Sequence, residues 1–151
     1  ETNKSELIKK IEIQNRLRLG AVAPEITWNE GSITKRLSGL SGAKNYVIVF
    51  WSSTCSHCLQ QLPEFHKALK DIPNTKVLAI GLEDDDVTWK KESAKLSNFV
   101  HGIALGKWES PYADIYDIQQ TPTYYVLDNE KRIVARPGDY EEVLKFLKDH
   151  D

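Results

Sequence analysis

The stretch that decides the fold reads Tyr46-Val47-Ile48-Val49-Phe50-Trp51-Ser52-Ser53-Thr54-Cys55-Ser56-His57-Cys58. Its first six residues are apolar and mostly β-branched or aromatic, which is typical of a strand buried on both faces. The hydroxyl residues 52–54 suit a helix N-terminus, so the strand is predicted to run directly into a helix at 56–70. A Cys-X-X-Cys pair, Cys55 and Cys58, therefore lies where the helix begins.

These two cysteines are the only ones in the 151-residue chain. A disulfide that closes so short a loop removes little chain entropy, so the pair suits chemistry better than stabilisation of the fold. At a helix N-terminus, backbone N–H groups and the helix dipole stabilise a thiolate at Cys55, while Cys58 can attack a mixed disulfide. A protonated His57 would make the couple more oxidising; alternatively, His57 is a solvent-exposed residue with little influence.

Metal-binding interpretations of the pair have less support. A structural zinc site usually takes four ligands, but a second Cys pair is absent and the histidines, which are His57, His66, His101 and His150, contain no spaced pair. Covalent haem attachment needs a histidine directly after the second cysteine, where this chain has Leu59. We therefore expect a redox centre with no cofactor and no resident metal. Copper(I) or zinc handling through the two thiols and His57 stays open as an alternative.

Composition narrows the function classes. The chain is 40% hydrophobic and 28% charged with a net charge of -2, which fits one globular domain and lacks the basic footprint of a nucleic-acid binder. No apolar run is long enough to span a membrane. The chain begins at Glu1 and contains no methionine, so we interpret it as a processed or excised piece whose export signal or membrane anchor could lie upstream.

Outward from the motif, strand and helix patterns alternate. Residues 1–19 are predicted to be a charged lead-in helix or linker, and 20–151 the folded domain. The predicted elements are a hairpin at 26–34, a loop or single helical turn at 35–45, strands at 46–51 and 77–82, helices at 56–70 and 87–98, a strand at 100–105, a short helix at 112–116, strands at 123–127 and 133–136, and a helix at 140–148. The acidic run at 83–86 is interpreted as the solvated start of the helix at 87. This order indicates an α/β domain with parallel strands and an antiparallel closing hairpin.

The motif resembles the active-site segment of thioredoxins. Pro63 follows the second cysteine by five residues, as the helix-kinking proline of that family does, and Thr121-Pro122 before a strand looks like its cis-proline. The resemblance implies a thioredoxin-like fold, with a central mixed β-sheet flanked by helices on both faces, an N-terminal β-hairpin and an α/β insertion. It also implies site roles: catalysis by Cys55, Cys58 and His57, substrate binding by Trp51, Thr121 and Pro122, and a structural role for Pro63.

The segment 20–24 and the insertion at about 83–110 narrow the match to the TlpA/ResA-like branch, over residues 20–149. That resemblance implies a thiol–disulfide oxidoreductase that reduces or exchanges protein disulfides in the periplasm or elsewhere outside the cytoplasm. Its partners would be disulfide-containing proteins and a thiol–disulfide redox partner, with no nucleic acid. The domain is expected to be monomeric, with a possible membrane tether in a missing N-terminal region. The alternative is a redox-sensing or binding module appended to a larger protein.

Two acids that the resemblance leads one to expect are absent. Thioredoxins keep a buried aspartate six residues before the first cysteine, where this chain has Val49. TlpA/ResA-like enzymes often carry a glutamate three residues after the second cysteine, where this chain has Gln61. Both acids are proposed proton carriers for the buried thiol. The related peroxiredoxins place a proline where this chain has Ile48, which argues against peroxidase activity although Ser52 could supply their hydroxyl.

Overall fold

The structure is a computed structural model that describes residues 2–150. Glu1 and Asp151, the outer ends of the predicted lead-in segment and domain, lie outside these residues. The helices are α1 (Thr2–Arg16), α2 (Ser56–Ala68), α3 (Val87–Ser93), α4 (Pro111–Ile115) and α5 (Tyr140–Asp149). The strands are β1 (Thr27–Glu30), β2 (Ile33–Arg36), β3 (Asn45–Trp51), β4 (Thr75–Glu83), β5 (Val100–Leu105), β6 (Thr123–Leu127) and β7 (Ile133–Ala135).

The central sheet has the strand order β5-β4-β3-β6-β7. Strands β3, β4 and β5 run parallel, whereas β6 is antiparallel to β3 and β7 is antiparallel to β6. Strands β1 and β2 form a separate antiparallel hairpin. The mixed sheet, the N-terminal hairpin and the α/β insertion predicted from the sequence are confirmed.

Strand β3 lies at the centre of the sheet, and all seven of its residues are buried. Its side chains alternate between two hydrophobic clusters, as the period of a strand requires. Val47 and Val49 pack on the face covered by α2 and α5, and Ile48 and Phe50 pack on the face covered by the β1–β2 hairpin and α4. Burial on both faces explains the uninterrupted apolar run. It also fixes the position of the C-terminal end of β3, and therefore of Cys55, which follows it in the chain.

The segment after α1 is attached to the domain. Leu17 is fully buried in the core. The backbone of residues 20–23 bonds to β7 and the turn before it, with the Gly20 and Ala23 N–H groups donating to the Ile133 and Lys131 carbonyls at 2.7 and 2.9 Å. In helix α1, Leu7, Ile8 and Ile11 are exposed, whereas Ile13 is partly buried and packs against the core cluster that contains Leu17. Within residues 2–150, no helix is long and apolar enough to cross a membrane.

The helices differ from the prediction at their ends. Helix α3 ends at Ser93 and not at residue 98, because the Lys95 and Leu96 N–H groups bond to carbonyls three residues back and turn the chain inward. Helix α2 ends at Ala68 and not at residue 70, and Pro63 lies inside it. On α2, Leu62 and Phe65 are buried, whereas Leu59 is 39% exposed.

Candidate active site

Cys55 occupies the N-cap position of α2. Its backbone is extended, with φ -92° and ψ 110°, and its Sγ accepts a hydrogen bond from the Cys58 N–H at 3.2 Å. The side chain is partly exposed, and Sγ lies 3.6 Å from the Thr121 carbonyl oxygen. A sulfur that takes the place of a capping oxygen receives the free N–H groups of the helix start, which stabilise negative charge.

Cys58 lies in the first turn of α2 and is fully buried, and both cysteines are free thiols. Burial, followed by the hydrogen bond to Cys55, raises the pKa of the Cys58 thiol to about 12. Burial also acts to raise the pKa of Cys55, but hydrogen bonds from the side chains of Cys58 and Thr121 and from the N–H groups of Cys58 and His57 outweigh it. The net pKa of Cys55 is therefore lowered. The two cysteines therefore differ: Cys55 is accessible and readily forms a thiolate, whereas Cys58 is a buried thiol.

This division predicts selective alkylation of the reduced protein. With iodoacetamide, we expect modification of Cys55 alone at neutral pH, with a rate that rises through an inflection below the pH of an ordinary thiol, because the thiolate is the reactive form. Cys58 should remain unmodified until the protein unfolds. Peptide mass spectrometry of samples quenched across a pH series measures both rates. Equal labelling of the two cysteines would contradict the assignment.

His57 is exposed on α2 and lies beside Gln61. The Nε2 atoms of the two side chains are 2.9 Å apart, so the amide of Gln61 donates to the imidazole when His57 Nε2 is the unprotonated nitrogen. The contact of His57 with Cys55 comes from its backbone N–H. The imidazole of His57 thus contacts Gln61, whereas the backbone N–H of His57 donates a hydrogen bond to Cys55 Sγ.

A polar groove lies beside Cys55. It has a volume of about 300 Å³, and its lining residues are His57, Gln61, Gln120, Thr121, Pro122, Gly138 and Asp139. The Thr121–Pro122 bond is cis, as predicted from the sequence. The groove is open to solvent. Thr121 is one of its lining residues, and the Thr121 carbonyl oxygen lies 3.6 Å from Cys55 Sγ, so the polar lining reaches the sulfur. Its size and polar lining suit a peptide segment better than an apolar small molecule.

Trp51 and Pro63 lie on the other side of the pair. Trp51 was predicted to bind substrate, but its side chain is fully buried, so it lies beneath the site and not on the groove. Together with Pro63, it lines a small cavity next to Cys58. Sequence reasoning placed Trp51 next to the cysteines correctly but could not give the direction of its side chain.

Glu83 is the residue of this site that sequence reasoning missed. It was interpreted as part of a solvated helix start, yet it is the last residue of β4 and only 3% exposed. Its carboxyl group accepts hydrogen bonds from the Ser53 N–H at 2.8 Å, the Ser53 hydroxyl at 3.0 Å and the Ser52 hydroxyl at 3.2 Å. It therefore holds the loop before Cys55. The carboxyl ends of adjacent parallel strands meet at one edge of a sheet, which predicts that the end of β4 lies near the loop after β3, but the sequence does not show which acid of the run 83–86 reaches that loop.

The positions of the two absent acids offer no carboxylate. Val49 is fully buried among apolar side chains, and Gln61 is bonded to His57. Within residues 2–150, no group of three or more histidine, cysteine, aspartate or glutamate side chains is placed to hold a metal ion. The hydroxyl of Ser52, the candidate for a peroxidase-type hydroxyl, is bonded to Glu83 and to Thr54.

Comparison with protein families gives one match that covers most of the domain. The family described as the AhpC/TSA family matches residues 19–136. Among curated proteins, the thiol-disulfide oxidoreductase YkuV of Bacillus subtilis (strain 168) is 27% identical over 121 residues, which is 74% of this chain and 80% of that protein.

Solved structures agree with this match. A domain of a possible thiol-disulfide isomerase from Cytophaga hutchinsonii ATCC 33406 is 30% identical with a TM-score of 0.76, and the alignment covers 88% of this chain and 92% of that one. A thioredoxin-like protein from Bacteroides caccae ATCC 43185 has a TM-score of 0.81 at 20% identity, which shows the fold. That alignment covers 99% of this chain but 56% of the Bacteroides chain.

Proposed function

Since the chain belongs to the AhpC/TSA family and is a thioredoxin-like thiol–disulfide oxidoreductase of the TlpA/ResA type, we propose that it reduces or exchanges disulfide bonds of protein substrates through Cys55 and Cys58. The Cys55 thiolate attacks a substrate disulfide, forms a mixed disulfide and releases one substrate thiol. Cys58 then attacks Cys55 Sγ, which forms the Cys55–Cys58 disulfide and releases the second thiol. The substrate gains two electrons, and the protein loses them.

The division of the two thiols carries this proposal. Cys55 is accessible and its pKa is lowered, whereas Cys58 is buried and its pKa is raised. An exposed, low-pKa thiol next to a buried partner favours attack by the first cysteine and resolution by the second, in that order. A structural disulfide or a metal-binding pair has no need of such a difference.

The groove next to Cys55 suits a polypeptide substrate. Thr121 and Pro122 form its wall, and the Thr121 carbonyl is close enough to Cys55 to place an extended peptide against the sulfur. Backbone pairing of this kind gives affinity with little dependence on sequence. Trp51 and Pro63 would act on the substrate only through the shape of the site behind Cys58.

The oxidised protein must recover two electrons, so a thiol–disulfide redox partner is part of the proposal. We place the reaction outside the cytoplasm, because the resemblance to TlpA/ResA-like proteins is to a branch that works there. A membrane tether in a region preceding residue 1 belongs to the same proposal. Within residues 1–19, the exposed part of helix α1 would then serve as the lead-in, and Leu17 holds its end in the core of the domain.

A trapping experiment tests the proposal. In Cys58→Ser, the resolving thiol is lost, so Cys55 should form mixed disulfides that persist and separate only on reduction. Incubation with reduced-and-reoxidised insulin or with an extract of periplasmic proteins, followed by non-reducing gels, measures the adducts. Cys55→Ser/Cys58→Ser is the matched control and should trap nothing. If Cys58→Ser forms no adduct with any protein disulfide, the proposal fails.

A redox-sensing module is a second candidate, favoured by the exposed apolar face of α1. Leu7, Ile8 and Ile11 are 58%, 49% and 47% exposed on one side of this helix, which fits a lead-in that contacts another domain. A sensor would equilibrate with glutathione yet show negligible turnover on protein disulfides. An insulin-reduction assay alongside the glutathione titration separates the two functions, because only the enzyme turns over.

A further inference from the structure

The resolving step needs a proton acceptor that the known positions do not supply. Burial holds the pKa of Cys58 far above neutral, and the side chains at Val49 and Gln61 cannot take its proton. Solvent does not reach the thiol directly, since Cys58 is fully buried. Another group must connect this thiol to the surface.

A small cavity next to Cys58 provides the connection. It lies between α2 and the end of α3, with a volume of about 20 Å³. A space of roughly 10–15 Å³ on this scale is enough for one water molecule. Its lining residues are Trp51, Cys58, Leu59, Leu62, Pro63, Glu92, Lys95 and Leu96.

The polar groups of this cavity meet the needs of one water. The Trp51 Nε1–H is buried and finds no hydrogen-bond partner within residues 2–150. The Glu92 side chain is only 15% exposed, and its two oxygens each lie 3.2 Å from Lys95 Nζ. Trp51, Glu92 and Cys58 all line the cavity, so its walls include an indole, a carboxylate and a thiol, a number within the two to four partners that a buried water typically has.

We propose that Glu92 accepts the proton of Cys58 through a water molecule in this cavity during resolution of the mixed disulfide. The S–H bond of Cys58 breaks as its proton passes to the water and a water proton passes to Glu92. The new thiolate forms a bond to Cys55 Sγ, and the bond from Cys55 to the substrate sulfur breaks. The leaving thiolate is protonated by solvent, and Glu92 returns its proton to solvent past Lys95. The inference rests on the proposed function.

Two other ionisable groups near the pair also carry buried atoms without a partner within residues 2–150, namely His101 Nδ1 and the Tyr124 hydroxyl, but neither residue lines the cavity. Burial raises the pKa of Tyr124, so its phenol stays protonated, and burial lowers the pKa of His101, which makes its imidazole a weaker base than an exposed histidine. Cys55 is already in the mixed disulfide at this step. Lys95 is a donor paired to Glu92 and is largely exposed. Glu92 is therefore the one carboxylate among the cavity residues.

The test measures the two chemical steps separately. Reduced protein is mixed with excess dithiobis-nitrobenzoate, which releases one coloured thiolate when Cys55 attacks and a second when Cys58 resolves. In Glu92→Gln we expect the first phase to be unchanged and the second to slow by about 100-fold at neutral pH, the low end of the effect of a general base. Glu64→Gln is the matched control, because Glu64 is an exposed glutamate of α2 outside the cavity. Its second phase should equal that of the wild type.

The pH profile gives a readout that mere loss of packing would not produce. With Glu92 as base, the rate of the second phase in the wild-type protein should be nearly independent of pH around neutrality. In Glu92→Gln the rate of this phase should rise about tenfold per pH unit, because hydroxide then removes the proton of Cys58. Equal second phases in the two proteins, or a tenfold rise per unit in the wild type, would overturn the inference. Absence of any second phase in the wild type would instead contradict the proposed function.

Discussion

Replacing Cys55 by serine is expected to lower disulfide reductase activity more than about 1,000-fold. The substitution removes the nucleophile, and the only other thiol in the chain is that of Cys58. Cys58 remains, but it is fully buried, and burial raises the pKa of its thiol, so little of it is available as a thiolate at neutral pH. Insulin reduction monitored by turbidity, with dithiothreitol as electron donor, measures the loss.

Ser56→Ala is the control for this variant. Ser56 is an exposed residue of α2 that lies between the two cysteines, so its replacement probes disturbance of the motif without touching a thiol. We expect near wild-type turnover in Ser56→Ala and an unchanged circular dichroism spectrum in both variants. Full activity in Cys55→Ser would contradict the proposed function.

Removal of the Glu83 carboxyl group is expected to cost about 3 kcal/mol of unfolding free energy. In Glu83→Ala the buried N–H of Ser53 loses its acceptor, and the hydroxyls of Ser52 and Ser53 lose a partner. A buried polar group left without its partner costs roughly 1–3 kcal/mol. Because the Ser52 carbonyl accepts the Cys55 N–H at 3.1 Å, the loop and the sulfur should shift together. Reductase activity should therefore also fall, by about tenfold.

Urea denaturation of the reduced protein measures the stability change. Asp84→Ala is the matched control, because Asp84 is the exposed acid that follows Glu83 in the chain. Surface substitutions of this kind usually change stability by less than about 0.5 kcal/mol. A Glu83→Ala protein as stable as Asp84→Ala would show that the hydrogen bonds to the loop make no net contribution.

The strand and motif at 46–58 were predictable because local and global preferences agree there. A continuous apolar run is stable as a strand in the centre of a parallel sheet, where both of its faces are buried. The hydroxyl residues at its end suit the start of a helix. The position of Cys55 at the N-cap of α2 follows from these residues, and the mixed thioredoxin-like sheet is what the resemblance of the motif implies. The hairpin at β1 and β2 followed from its turn residues for the same reason.

Residues that depend on tertiary contacts were not predictable. Glu83 looks like its acidic neighbours in the sequence, and only the register of β4 against β3 brings it to the Ser52–Ser53 loop. The early end of α3 depends on Leu96 turning into the core, which no local pattern in 87–98 indicates. Glu92 likewise became a candidate through the cavity that it shares with Cys58. These features depend on pairing and packing between segments that are distant in sequence.

The attachment of residues 20–23 to β7 has a consequence for solubility. β7 is the last strand on its side of the sheet, and an open strand edge invites pairing with extended polypeptides and leads to aggregation. The backbone bonds from Gly20, Ala21 and Ala23, together with the bridge between Val22 and Arg132, occupy part of that border. This part of the β7 edge is thereby closed to pairing with other extended chains.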